Sequence, residues 1–216
     1  LATDTVVEIA SEHGTSECQD PNLPECQWHL HAETYAPQGS VQSALAAGFR
    51  LGFVGGTDRH DADPGELSLG PGASGHLYDS DGDGVVDAGA LQYTTGTLTG
   101  VIADSPLTRA AIFDALASRH TFAASRSITG LSVTATDSAG TTYLPGDDLP
   151  AGSYDIGISL LDPLVSSWSA ELVNPSGATR AVGELPFAAG DIWYVRVKLT
   201  VDGGEHRVWA SPFFGL

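Results

Sequence analysis

The sequence predicts an α/β layer over residues 1–126, followed by a small antiparallel β-sandwich over residues 127–216. In the first part, apolar runs typical of strands alternate with helical patterns, as they do in α/β layers. In the second part the helical patterns stop, and short runs with period-two alternation are separated by turn sequences. These two observations place the domain boundary near residue 127.

The first part begins with two predicted strands and a helix between them. Residues 5–10 and 51–56 are short, largely apolar runs of the kind found in parallel sheets. A helix is predicted over residues 39–52 from apolar side chains spaced by four residues, Val41, Leu45 and Phe49.

A Gly- and Asp-rich insertion, about residues 61–97, separates this unit from a second one. Strands are predicted over residues 96–103 and 121–125, with a helix between them. Ser105 is expected to cap that helix, with Pro106 at its first position. Its expected apolar face consists of Leu107, Ala111, Ile112, Ala115 and Leu116.

The second part shows its pattern most clearly in the predicted strand over residues 192–201. Two sets of side chains alternate there, which predicts one buried face and one face in water. The buried set is Trp193, Val195, Val197, Leu199 and Val201. The set expected in water is Tyr194, Arg196, Lys198 and Thr200.

Composition and charge exclude some classes of protein. Of 216 residues, 42% are hydrophobic, so the chain can bury a core. The formal charge of −18 leaves no basic surface for nucleic acid. No run approaches the roughly 20 apolar residues of a membrane span. A start inside a strand-like run and the absence of methionine favour a processed chain or a fragment.

The two cysteines, Cys18 and Cys26, flank a short loop that contains two prolines. We predict a local disulfide, which implies an oxidising compartment and therefore an extracellular or periplasmic protein. A metal-binding pair and two free thiols are the alternatives, and the spacing is long for a zinc knuckle.

Metal-binding side chains follow both strands of the first unit. In "LGFVGGTDRHDADPG", Asp58 and His60 follow a strand and two glycines, and such a pair suits zinc, manganese or iron. His13 similarly follows the first strand. Ligands bind at the carboxyl ends of strands in open α/β sheets, so His13, Asp58 and His60 converge if the two strands are neighbours. Turn capping by Asp58 and a surface position for His60 form the alternative.

Two acidic residues lie near His13. Glu8, within the first strand, is a candidate metal ligand or partner of a ligand, and the alternative is an edge or salt-bridged residue. Glu17 is expected to be a solvated loop carboxylate.

A separate calcium loop is predicted at "DSDGDGVVDAGA", residues 79–90. Its acidic spacing and Gly84 match the start of an EF-hand loop, although Ala90 replaces the usual glutamate. The expected ligands are Asp79, Asp81, Asp83, the Val85 carbonyl and Asp87. A disordered acidic loop is the alternative.

Four segments together resemble the C-terminal part of the polymerase-and-histidinol-phosphatase (PHP) metallohydrolases, nearest to the carbaryl-hydrolase-like branch. They are "VVEIASEHGTSE", "LGFVGGTDRHDADPG", "LTGVIADSPLTRAAIFDALASRHTFAAS" and "RVWASPFF". The resemblance implies a partial, distorted (β/α) barrel with divalent metals at its strand ends. It also implies that metal-activated water hydrolyses phosphoesters or carboxyl or carbamate esters of small molecules.

Within that resemblance, His13, Asp58 and His60 match metal ligands, and Glu8 matches an acidic residue of the same strand. The family's first H-x-H element has no counterpart, because His29 and His31 come after His13 in the chain. Three ligands hold one metal, not a cluster. The resemblance therefore implies a fragment that is inactive without an N-terminal remainder. A non-catalytic, calcium-stabilised extracellular binding or adhesion module and a degenerate hydrolase are the alternatives.

Overall fold

The computed structural model describes residues 5–11, 14–18, 39–56, 97–103, 105–125, 131–160, 162–201 and 204–216. Within these ranges the chain forms mostly β-structure, with fifteen strands and two short helices. The prediction of a partial α/β barrel is therefore wrong. The physical reason is visible at strands β4 (Leu98–Val101) and β5 (Thr121–Ala124). They are joined through helix α2 (Arg109–Ala117) but pair antiparallel, whereas barrel strands run parallel.

A central sheet of eight strands organises the molecule. Six of its strands follow the order β11-β10-β13-β14-β5-β4, and β15 joins β13 and β8 at one end. These strands are β4 (Leu98–Val101), β5 (Thr121–Ala124), β8 (Asp148–Leu149), β10 (Ser167–Val173), β11 (Thr179–Ala181), β13 (Ile192–Val201), β14 (Gly204–Ala210) and β15 (Phe213–Gly215). Strands from both sides of residue 126 pair within this sheet, since β5 pairs with β14.

One face of the central sheet packs on a four-stranded antiparallel sheet. That sheet has the order β12-β9-β6-β7. Its strands are β6 (Leu131–Asp137), β7 (Thr142–Tyr143), β9 (Gly152–Leu160) and β12 (Glu184–Phe187). The two sheets enclose a core that includes Ile156, Leu172, Leu185, Val195, Val197 and Leu199.

The opposite face of the central sheet is covered by the N-terminal layer, which we define as β1 (Val6–Ser11), β2 (Gly14–Thr15), helix α1 (Val41–Ala46) and β3 (Gly52–Gly55). A second core lies between them and includes Ile9, Val41, Leu45, Phe53, Val173, Tyr194 and Trp209. The predicted helix is confirmed in part: Val41 and Leu45 are buried, but Phe49 lies beyond the helix with 53% of its surface exposed.

Because both faces of the central sheet are covered, the prediction of a wet face on β13 is wrong for two residues. Tyr194 is 0% exposed and Arg196 is 1% exposed. They point to the N-terminal layer, while Val195, Val197 and Leu199 point to the four-stranded sheet. Alternation thus placed the two sets correctly on opposite faces, but only the covering layer decides whether the second face meets water.

Helix α2 (Arg109–Ala117) differs from its prediction in start and burial. Its N-cap is Thr108, whose hydroxyl accepts a hydrogen bond from the Ala111 backbone N–H, so the predicted cap at Ser105 is wrong. Ala115 is buried, but Leu107 remains 74% exposed and Phe113 69% exposed. No helix within the described ranges is long and apolar enough to cross a membrane.

Candidate functional site

The carboxyl ends of β1 and β3 lie side by side. The two strands pair in parallel, with Val6 opposite Gly52 and Glu8 opposite Val54, and a register shift follows before Ala10 meets Gly55. The sequence predicts that His13, Asp58 and His60 converge if these two strands are neighbours. The backbone meets that condition. We call this edge, formed by Ser11 of β1 and Gly55 of β3, the strand-end edge.

A β-hairpin follows, in which β2 pairs antiparallel with the end of β1. Ser11 pairs with Gly14, and Ala10 pairs with Thr15. The Thr15 hydroxyl donates to the Ile9 carbonyl at 2.9 Å, and the Ser16 backbone N–H donates to the same carbonyl at 2.8 Å. Residues 14–16 are thus hydrogen-bonded back to β1.

The predicted ligands themselves lie outside the described residues. This holds for the transition-metal candidates His13, Asp58 and His60, and for the calcium loop Asp79, Asp81, Asp83, Val85 and Asp87. It also holds for His29 and His31. Their roles stay predictions. The part of the chain that the structure describes contains no group of three or more His, Cys, Asp or Glu side chains able to hold a metal.

Glu8 is the one predicted site residue within the described ranges. It lies in β1 with an exposed side chain, next to buried Ile9. Because side chains alternate along a strand, Glu8 points away from the core that Ile9 enters. Its role at a metal site stays a prediction.

A buried polar network lies beside the hairpin, and sequence reasoning missed it. We call it the Glu17 network, formed by Glu17, Gln42, Glu171, Tyr194, Arg196 and Trp209. Glu17 Oε1 accepts hydrogen bonds from the Tyr194 hydroxyl at 2.5 Å and Arg196 Nη1 at 2.8 Å. Glu17 Oε2 accepts one from Trp209 Nε1 at 2.8 Å. Glu17 is 0% exposed, so its prediction as a solvated carboxylate is wrong.

The network extends from Tyr194 to helix α1 and from Arg196 to strand β10. Gln42 Nε2 of helix α1 donates to the Tyr194 hydroxyl at 2.9 Å. Arg196 Nε and Nη2 donate to Glu171 Oε1 of β10 at 3.0 and 2.9 Å. Lys198 Nζ lies 3.5 Å from the same oxygen. Buried charges are costly unless paired and hydrogen-bonded, and here each carboxylate faces a cation.

Burial and charge shift two pKa values in this network. Burial raises the pKa of Tyr194 well above its ordinary value, and the nearby Glu17 carboxylate raises it further. For Arg196, burial alone would lower the pKa, but Glu17, Tyr194 and Glu171 outweigh it and raise the pKa. Tyr194 is therefore a neutral donor and Arg196 a permanent cation at neutral pH.

One signal in the sequence could have revealed this network. Tyr194, Arg196 and Trp209 carry polar groups at the ends of large apolar bodies, and such side chains bury well when a partner accepts their hydrogen bonds. Their partner is a carboxylate 179 residues away in the case of Arg196. No local pattern in the sequence identifies that partner.

Cys18 follows Glu17 directly. It is buried, with 4% of its surface exposed. The only other cysteine of the chain, Cys26, lies outside the described residues, so the Cys18–Cys26 pairing stays a prediction.

A second charged cluster lies by the amino end of β3, away from the strand-end edge. Arg50 pairs with Asp148, and its guanidinium lies 4.4 Å from the centre of the Phe214 ring. Arg119 donates to the Gly146 carbonyl through Nε and Nη2. Burial lowers the pKa of Arg50, and the charge of Arg119 lowers it further. Each arginine thus has a protein acceptor, and the cluster joins loops of the fold.

Comparisons with known proteins found no relative of this chain. No family model matches the chain, and neither a curated protein nor a solved structure matches it. The resemblance to the PHP metallohydrolases therefore stays a prediction from the sequence motifs.

Proposed function

We propose that the strand-end edge belongs to a metal-dependent hydrolase of phosphoesters or carboxyl or carbamate esters. The observation that supports the proposal is the parallel pairing of β1 and β3. His13 follows the end of β1 by two residues, and Asp58 and His60 follow the end of β3 by three and five. The segments that carry these three residues therefore begin at the same edge of the sheet.

The donor set fits a divalent transition metal. Two imidazoles and one carboxylate suit zinc, manganese or iron, and three protein ligands leave a coordination position open. A metal held there would acidify water and polarise an ester or phosphoryl oxygen. The chain's own part is to hold the metal through His13, Asp58 and His60, with Glu8 as a partner of these ligands.

A second candidate function is a calcium-stabilised extracellular binding or adhesion module without catalysis. The observation that favours it is the antiparallel character of the fold, in which two stacked sheets form the larger core. The Asp-rich loop over residues 79–90 suits either function, because calcium there would be structural.

Calorimetric titration with zinc and with calcium separates these candidates, and two variants serve as controls for each other. We expect His60→Ala to abolish zinc binding and leave calcium binding unchanged, because it removes only an imidazole. We expect Asp83→Ala to weaken calcium binding and leave zinc binding unchanged.

A wild-type chain that binds calcium but no zinc would contradict the hydrolase and favour the binding module. Zinc binding that survives His60→Ala would contradict the ligand assignment. Hydrolysis itself is assayed in a longer chain that also carries the earlier ligands implied by the resemblance, where His60→Ala should abolish it.

A further inference from the structure

Two arginines meet in the second charged cluster, at the amino end of β3. Arg50 precedes that strand, and Arg119 follows helix α2. Their guanidinium carbons lie 4.4 and 5.4 Å from the centre of one ring, that of buried Phe214, so they are near neighbours. Burial lowers the pKa of Arg50, and the charge of Arg119 lowers it further. The fold thus holds two like charges together in a chain whose formal charge is −18.

The contacts of these two guanidiniums use only part of their hydrogen-bonding capacity. Among the described residues, Arg119 donates only to the Gly146 carbonyl, through Nε and Nη2 at 3.2 and 3.1 Å. Within the same ranges, Arg50 reaches one acceptor, Asp148, through Nη2, and its side chain is 39% exposed. A guanidinium carries five N–H donors in a planar fork that matches the oxygens of carboxylates and phosphates. Both arginines thus keep N–H donors that no described residue occupies.

The neighbouring carboxylates do not provide a partner for both arginines. Asp147 is engaged elsewhere: its Oδ1 lies 2.9 Å from His120 Nε2, and its Oδ2 accepts from the Leu144 N–H at 2.7 Å. Of the carboxylates in the described ranges, Asp148 alone pairs with this couple of guanidiniums, through Arg50. An added oxyanion would balance the second positive charge.

Arg119 also occupies a backbone position where glycine is usual. Its φ is 64°, and within the described residues it is the one non-glycine residue with a positive φ. The N–H groups of Arg119 and His120 donate to the carbonyls of Leu116 and Ala115, which is the Schellman pattern of a helix C-terminus. Glycine is favoured there because a Cβ is strained in this conformation. Such strain concentrates at functional sites, so an arginine here points to a role for its side chain.

We propose that Arg50 and Arg119 form a binding site for the oxyanion group of a small molecule, a phosphate monoester or a carboxylate. The oxyanion accepts charge-assisted hydrogen bonds of about 2.7–2.9 Å from both guanidiniums. The Phe214 ring keeps the two side chains together. This site lies away from the strand-end edge, and it does not depend on the metal chemistry proposed there.

Calorimetric titration of the metal-free full chain with inorganic phosphate, and separately with acetate, tests the site at low ionic strength. Arg50→Gln removes the exposed guanidinium, and Arg119→Gly removes the other while supplying the residue that suits its backbone. Arg180→Gln is the matched control. Arg180 also donates to a backbone carbonyl, that of Glu184, and lies 5.9 Å from an aromatic ring centre, that of Trp193, but it stands on β11.

We expect the wild-type chain to bind at least one of the two anions, and the tighter one identifies the ligand as a phosphate or a carboxylate. Arg50→Gln and Arg119→Gly should each weaken that binding at least about tenfold, because each removes hydrogen bonds between charged groups. Arg180→Gln should leave it unchanged.

Three results would overturn the inference. The first is a wild-type chain that binds neither anion. The second is binding that survives Arg50→Gln, a variant that leaves the end of helix α2 intact and so decides the matter even if Arg119→Gly does not fold. The third is equal weakening in Arg180→Gln, which would show a response to overall charge rather than to this pair of arginines.

Discussion

At the scale of single residues, Glu17 shows how one carboxylate joins distant parts of the chain. It connects the segment after β2 with β13 and β14, and Gln42 adds helix α1 through the Tyr194 hydroxyl. Removing one partner of a buried pair leaves the other charge uncompensated, which typically costs about 3–5 kcal/mol. The N-terminal layer therefore depends on this contact as well as on its apolar packing.

Tyr194 gives the network a signature in the pH dependence of stability. Its pKa is raised in the folded state, whereas an unfolded tyrosine titrates near pH 10. Above about pH 10 the folded protein retains a proton that the unfolded chain loses. The contribution of Tyr194 to the free energy of unfolding is therefore constant below about pH 10. Above that pH it falls by up to about 1.4 kcal/mol per pH unit.

We expect Tyr194→Phe to remove this contribution, so that its unfolding free energy falls less steeply between pH 10 and pH 11 than that of wild type. Urea unfolding of both proteins across this range measures the two slopes. The difference in unfolding free energy between the two proteins at pH 8 serves as the reference, because at that pH it reflects only the loss of the hydroxyl's hydrogen bonds. Equal slopes above pH 10 would contradict a raised pKa for Tyr194.

At the scale of elements, helix α2 provides a test of where a helix begins. The Thr108 hydroxyl accepts the Ala111 N–H at 3.1 Å, so Thr108→Ala should lower the free energy of unfolding by about 1 kcal/mol. Ser105→Ala is the matched control, and as an exposed substitution outside the helix it should change stability by less than about 0.5 kcal/mol. Denaturant unfolding compares the two, and a larger loss for Ser105→Ala would move the helix start back to the predicted cap.

Several strands could be predicted from the sequence because their patterns are local. The strands found at Val6–Ser11, Gly52–Gly55, Thr121–Ala124 and Ile192–Val201 overlap the predicted ones closely. Pairing could not be predicted in the same way. Strand β14 was missed, and the helix between the strands now seen as β4 and β5 favoured a parallel crossover, whereas β5 pairs antiparallel with both β4 and β14.

At the scale of the whole molecule, two cores share one sheet. The central sheet contributes Val195, Val197 and Leu199 to one core, and Tyr194 and Trp209 to the other. Strands that precede residue 126 also pair within it. The molecule is therefore expected to unfold as one cooperative unit, in spite of the domain boundary that the sequence predicts near residue 127.

A fragment of residues 127–216 tests this expectation. It would lose β4, β5 and the N-terminal layer, so that Tyr194, Arg196 and Trp209 meet water and β14 becomes an edge strand. We expect the fragment to show no cooperative unfolding transition in circular dichroism under conditions where the full chain shows one. Cooperative unfolding at the full chain's denaturant midpoint would instead support two independent domains.

The sequence by itself determined where several strands lie, which side chains share a face of β13, and which residues are candidate metal ligands. The tertiary structure decided which faces are buried, that β1 and β3 are parallel neighbours, and that Glu17 belongs to the interior. The physical reason is that periodicity depends on neighbours along the chain, whereas burial depends on what packs against a face. Arg196 can be buried beneath the N-terminal layer because the carboxylate of Glu17, 179 residues earlier in the sequence, pairs with its charge.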